Sequence, residues 1–98
     1  MPKKITTDED LLDDISETLR VMAHPIRLAI IELLFEEKER SVTDIHQTIG
    51  IEQAVASHHL RILKSKKVVQ VRRDGQRSLY ALKHEGYHNI VQLMADLK

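Results

Sequence analysis

Gln53-Ala54-Val55-Ala56-Ser57-His58-His59-Leu60-Arg61-Ile62-Leu63, followed shortly by Val68-Val69-Gln70-Val71-Arg72-Arg73-Asp74-Gly75-Gln76-Arg77-Ser78-Leu79-Tyr80, is the stretch that decides the fold. Spacings of four and three place Ala56, Leu60 and Leu63 on one side of a helix. Gln53, Ser57, His58, Arg61 and Ser65 fall on another side, so this helix is apolar behind and hydrogen-bonding in front. The second run is two β-rich segments joined at Asp74-Gly75, a strong hairpin signal. A short helix with small polar and cationic side chains, followed by an arginine-tipped hairpin, is the layout of a winged helix-turn-helix. That layout implies contact with duplex DNA.

Working outward, the chain reads as a single domain over residues 1–98, α+β in class and mostly α. Thr7-Asp8-Glu9-Asp10 predicts a capped helix start with acids at the positive end of the dipole. Leu11, Leu12, Ile15, Leu19 and Met22 then form one apolar stripe. His24-Pro25 marks a boundary, with Pro25 placed to open the next helix, roughly 25–38, which is apolar on most sides as a central core helix should be. Ser41-Val42-Thr43-Asp44 opens a short third helix ended by Gly50. The recognition helix near 53–66 and the hairpin follow. A fifth helix over about 84–97 presents Tyr87, Ile90, Val91, Met94 and Leu97. The expected architecture is five helices and a two-stranded wing.

The net charge of zero conceals a division. Residues 1–50 carry eleven Asp or Glu against six Lys or Arg, and residues 51–98 carry four against nine. Between Arg61 and Lys83, eight basic residues face only Asp74. A basic half of this kind fits a nucleic acid or another anionic surface, or else an ordinary solvated face. Its coincidence with the helix and hairpin favours DNA. The expected contacts are Gln53, Ser57, His58, Arg61 and Lys64 on the helix and Arg72, Arg73 and Arg77 on the wing. Arginine can bind guanine bidentately and glutamine adenine, while serine and histidine donate to phosphates or base edges. Arg72 and Arg77 are expected to oppose each other across the hairpin, a repulsion that an intervening phosphate would relieve. His59 lies nearer the apolar side and reads as a packing histidine.

The first and last helices carry apolar stripes that a small winged-helix core does not need. They are expected to bury Leu12, Ile15, Leu19, Tyr87, Ile90, Val91 and Met94 in a homodimer, the alternative being that the two ends pack on each other. No apolar run approaches a membrane span, and Met1-Pro2-Lys3-Lys4 does not lead into a signal core, so a cytoplasmic location is expected. With no cysteine there is no disulfide, thiolate metal site or thiol switch. No glycine-rich phosphate loop and no HExxH is present, so neither an enzyme nor a bound cofactor is expected. His84 and His88, four apart, are candidate metal ligands, lacking a third partner within the chain.

The chain resembles the ArsR/SmtB family of small dimeric bacterial repressors. The resemblance rests on Met22-Ala23-His24-Pro25-Ile26-Arg27-Leu28-Ala29-Ile30-Ile31-Glu32-Leu33-Leu34, on Ala56-Ser57-His58-His59-Leu60-Arg61-Ile62-Leu63, and on Arg73-Asp74-Gly75-Gln76-Arg77 with Tyr80-Ala81-Leu82. His24 departs from the aspartate usual before that proline, and either residue can cap a helix. The resemblance implies a repressor of a near-palindromic operator that an effector releases. It also implies effector sites that this chain lacks. The cysteines of the family's thiol-based sensors correspond to Ser41 and Thr43, beside Asp44. The metal site of the last helix corresponds to His84, Gly86 and Leu97, with its fourth position beyond Lys98. The effector is therefore left unassigned. Two alternatives stand beside the repressor: a winged-helix module that binds protein, and a metal-binding regulator using His84 and His88.

Overall fold

The computed structural model describes residues 8–98. Helix α1, Glu9–Met22, begins at Asp8, whose carboxylate accepts the Leu11 N–H at 3.1 Å. Thr7, part of the expected start, lies outside the described residues. Helix α2, Pro25–Glu37, is capped by the His24 ring, whose Nδ1 accepts the Ile26 N–H at 3.1 Å, with Pro25 in the first turn where its missing donor costs nothing. Strand β1, Glu39–Ser41, leads into helix α3, Val42–Ile49. Gly50, at φ +81°, closes α3 in the left-handed region that favours glycine. Helix α4, Gln53–Ser65, follows α3 after three residues, Gly50, Ile51 and Glu52. The α3–α4 turn is tied by the Gly50 and Ile51 N–H groups, both donating to the His46 carbonyl, and by His46 Nδ1 donating to the Ile51 carbonyl at 3.0 Å. Strands β2, Val69–Asp74, and β3, Arg77–Leu82, form the wing, and helix α5, Gly86–Asp96, ends the fold.

The sheet is antiparallel in the order β1-β3-β2. It thus has a third strand beyond the two expected, short and polar, paired from Glu39↔Ala81 to Ser41↔Leu79. The core lies between α2, α3, α4 and the sheet, where Ile30, Ile31, Leu34, Ile45, Leu60, Leu63, Val68 and Val69 are fully buried. The central helix is thus α2, as its all-round apolarity predicts. By contrast, Leu12, Ile15 and Leu19 on α1 and Ile90 and Met94 on α5 are exposed in the single chain. Tyr87 and Val91 instead pack in part against the chain's own core.

Ser41 joins two elements: it is buried at the end of β1 and its Oγ accepts the Asp44 N–H at 3.1 Å, capping α3. Ser41→Ala is expected to lower stability by about 1 kcal/mol in urea unfolding, the usual cost of a lost cap. A change below about 0.3 kcal/mol would show that α3 is held by packing alone.

Candidate nucleic-acid interface

Two sides of α4 have separate roles. Ala56, His59, Leu60 and Leu63 are buried against the core. Gln53, His58, Arg61 and Lys64 are exposed and Ser57 is half-buried, which is the outward set read from the sequence. Glu52 precedes α4 without capping it through its side chain, so the N–H donors of the first turn remain open to solvent or to an anion. Gln53 and Arg77 line one groove of about 380 Å3, together with Thr43 and Asp44 at the start of α3 and Gln76 at the wing tip. The start of the recognition helix and the tip of the wing thus border a common concave surface. Thr43 and Gln76 are members that helix periodicity could not indicate, because they reach the groove from other elements.

The wing differs in register from the expectation. Its two-residue loop is Gly75-Gln76, with Asp74↔Arg77 as the last pair, rather than Asp74-Gly75. Only Gly75 of the two has positive φ, at 64°, which is the pattern of a type II′ turn. Moving the loop by one residue moves each partner by two, so Arg72 faces Leu79 and not Arg77. The expected repulsion between Arg72 and Arg77 is therefore absent. Arg72 instead reaches across β3 to Glu39, donating from Nε at 2.7 Å and from a terminal nitrogen at 2.9 Å. This bidentate bond holds the Glu39 carboxyl below its ordinary pKa and raises that of the Arg72 guanidinium. Arg73 donates to Ser78 Oγ at 3.2 Å, and Arg77 lies 3.6 Å from Asp74 with most of its side chain in solvent. The three arginines are thus not equivalent: Arg72 braces the wing on β1, whereas Arg73 and Arg77 occupy its tip.

The two candidate metal ligands are separated in role. Helix α5 begins at Gly86, so His84 precedes it and the helical four-residue spacing does not hold. His88 Nδ1 lies 2.7 Å from Glu32 Oε2, and its ring stacks on Phe35 with centroids 3.5 Å apart. Both contacts dock α5 on α2. Among the described residues no group of three or more His, Asp or Glu is arranged to hold a metal. No helix is long and apolar enough to cross a membrane. Between α1 and α5 lies an apolar groove of about 370 Å3, lined by Leu19, Met22, Leu28, Ile90, Val91 and Met94 among others.

The family model for bacterial regulatory proteins of the arsR family matches residues 24–71. The HTH-type transcriptional repressor SmtB of Mycobacterium tuberculosis is 34% identical over 87 residues, 89% of this chain and 62% of that protein, so the chain spans about three fifths of that relative's length. The transcriptional repressor PagR of Bacillus anthracis is 34% identical over 83 residues, covering 85% of this chain and 83% of PagR. A homodimeric winged helix-turn-helix DNA-binding domain from Mycobacterium bovis, described as a possible ArsR-family regulator, superposes with a TM-score of 0.81. The identity is 32%, and the match covers 98% of this chain and 91% of that one. With its helix order, its wing and these relatives in agreement, the chain belongs to the arsR family of bacterial regulatory proteins.

Proposed function

We propose that this protein is a homodimeric, sequence-specific repressor that lays α4 in the major groove of a near-palindromic operator and sets its wing tip against the flanking backbone. The observation that carries the reading is the groove shared by Gln53 and Arg77, on the helix that also carries half-buried Ser57 and exposed His58, Arg61 and Lys64. SmtB and PagR are named transcriptional repressors, and the Mycobacterium bovis domain is a DNA-binding homodimer, which supports both halves of the proposal. In a dimer the solvent-facing residues of α1 and α5 (Leu12, Ile15, Leu19, Ile90, Met94) would be covered, with Tyr87 and Val91 at the edge of the contact. Arg73 and Arg77 are the wing's contacts, and Arg72 contributes by holding the wing in place. The effector is of a class that needs no thiolate, because the chain has no cysteine for a soft metal or an oxidant to attack.

Selection of bound duplexes from a random pool tests the reading. The selected site should contain two half-sites about one helical turn, roughly 34 Å, apart. Neutralising six to eight phosphates per dimer would give a slope of about −6 for log affinity against log salt. Arg61→Ala should cost about 1–3 kcal/mol and relax preference at one position per half-site. Arg77→Ala should weaken all sequences alike and reduce the salt slope. A salt-independent, sequence-blind complex would sink the proposal, and absence of DNA binding would favour the protein-binding module instead.

A further inference from the structure

Among the described residues His59 is the one ionisable side chain that is buried, at 6% exposure, and no proposed DNA contact uses it. It lies on the inner side of α4, directly between the outward-facing Ser57, His58 and Arg61 in sequence. Arg27 of α2 donates from Nε to His59 Nδ1 at 3.1 Å. A guanidinium only donates, so Nδ1 must be bare and the ring neutral, with its proton on Nε2. Arg27 is fixed in turn by donating to the Val21 carbonyl of α1 at 3.1 Å. One guanidinium therefore ties α1, α2 and the recognition helix together.

Arg27, His24 and His58 surround His59. Arg27 is permanently charged, the His24 ring lies 4.5 Å away, and the His58 ring stands edge-on at 5.2 Å. Among the described residues no hydrogen bond or ion pair joins His59 to a charged group of α3 or β2, which also pack on α4. The α1 acids Asp14 and Glu17 are engaged with Lys66, about two turns further along α4. Burial is the chief cause that pushes the His59 pKa below its ordinary value, and His24, Arg27 and His58 push it the same way.

We propose that Arg27 and His59 form a clamp that positions the recognition helix and opens when His59 takes a proton. A proton on Nδ1 replaces the acceptor with a second donor, facing a guanidinium that cannot give up its charge. The bond is then lost and α4 is released from α2 beside its DNA-facing residues. The inference rests on the proposed DNA reading by α4. The linkage sign is fixed. With the clamp open, His59 is freed from burial and from Arg27 and titrates nearer its free value of about 6.5, so in the window below that value the open form binds more protons than the closed one. Acidification therefore favours release.

The test compares the parent with His59→Asn on the selected operator from pH 8 to pH 5.5, each Kd normalised to that protein's own value at pH 8. The Asn side-chain oxygen accepts from Arg27 but takes no proton, and His24 and His58 are present in both proteins. The parent should lose more affinity than the variant as the pH falls to 5.5, by up to about tenfold, the most that one proton taken up at a free value of about 6.5 can supply. Coincident profiles would overturn the clamp and leave the DNA reading standing. Absence of sequence-specific binding by the parent at pH 8 would overturn both. Nitrogen-15 shifts of the parent imidazoles decide the matter even if the variant does not fold. A bare Nδ1 on His59 at pH 8, protonated as operator binding is lost, supports the clamp, and an Nδ1–H tautomer at pH 8 refutes it.

Discussion

Leu19→Glu combined with Met94→Glu is expected to convert the proposed dimer to a monomer and to weaken operator binding by at least about 100-fold, the usual scale of lost bivalency. Both side chains border the apolar groove between α1 and α5, and both are about half exposed in the single chain, at 46% and 56%. Neither belongs to the buried cluster of Ile30, Ile31, Leu34, Ile45, Leu60 and Leu63. Charges there would leave the folded protomer largely undisturbed but would face their copies in an apolar contact, where unpaired carboxylates are costly to desolvate. A monomer retains one recognition helix and one wing, so it would keep the contacts of a single half-site and lose the advantage of presenting two. Sedimentation at a fixed protomer concentration reads the first effect and operator titration the second. Helicity should be nearly unchanged. Variants that sediment as dimers would place the interface elsewhere on the surface.

The parts of this fold that could be read in the sequence are those fixed by local chemistry. His24-Pro25, Ser41 and Gly50 each place a helix end through one residue's own backbone preference or side-chain reach, and each does so here. The front and back of α4 follow from a periodicity that the core enforces over three turns. What escaped depends on distant partners. Strand β1 has three residues, too few for any alternation to show, and exists because β3 supplies its hydrogen bonds. The wing register hinged on which two residues form the loop, and both Asp74-Gly75 and Gly75-Gln76 satisfy the glycine requirement. Glu39 and Arg72 are 33 positions apart and Glu32 and His88 are 56 apart, so no spacing rule connects them. Those two pairs change the reading of the site: the first removes Arg72 from the free wing tip, and the second commits His88 to docking α5.

The sharpest contrast concerns two consecutive residues of α4, one buried and one exposed. Leu60 is fully buried in the core cluster that includes Ile30, Ile31, Leu34 and Ile45, while Arg61 faces solvent. Leu60→Ala should cost about 3–5 kcal/mol, the removed methyl groups plus the cavity they leave. That is a large share of the roughly 5–15 kcal/mol that holds a domain folded. The urea midpoint should fall accordingly with its slope unchanged, because the surface exposed on unfolding is the same. The fraction of active protein would drop, yet what remains folded should prefer the same operator bases in the same order, since no base-contacting group has changed. Arg61→Ala should do the reverse. Its midpoint should stay within about 0.5 kcal/mol of the parent, as for most surface substitutions, while discrimination at one position of each half-site is lost. If Leu60→Ala altered base preference, or if Arg61→Ala destabilised the fold as strongly, the division of α4 into a packing side and a reading side would be wrong, and the function argued from it with it.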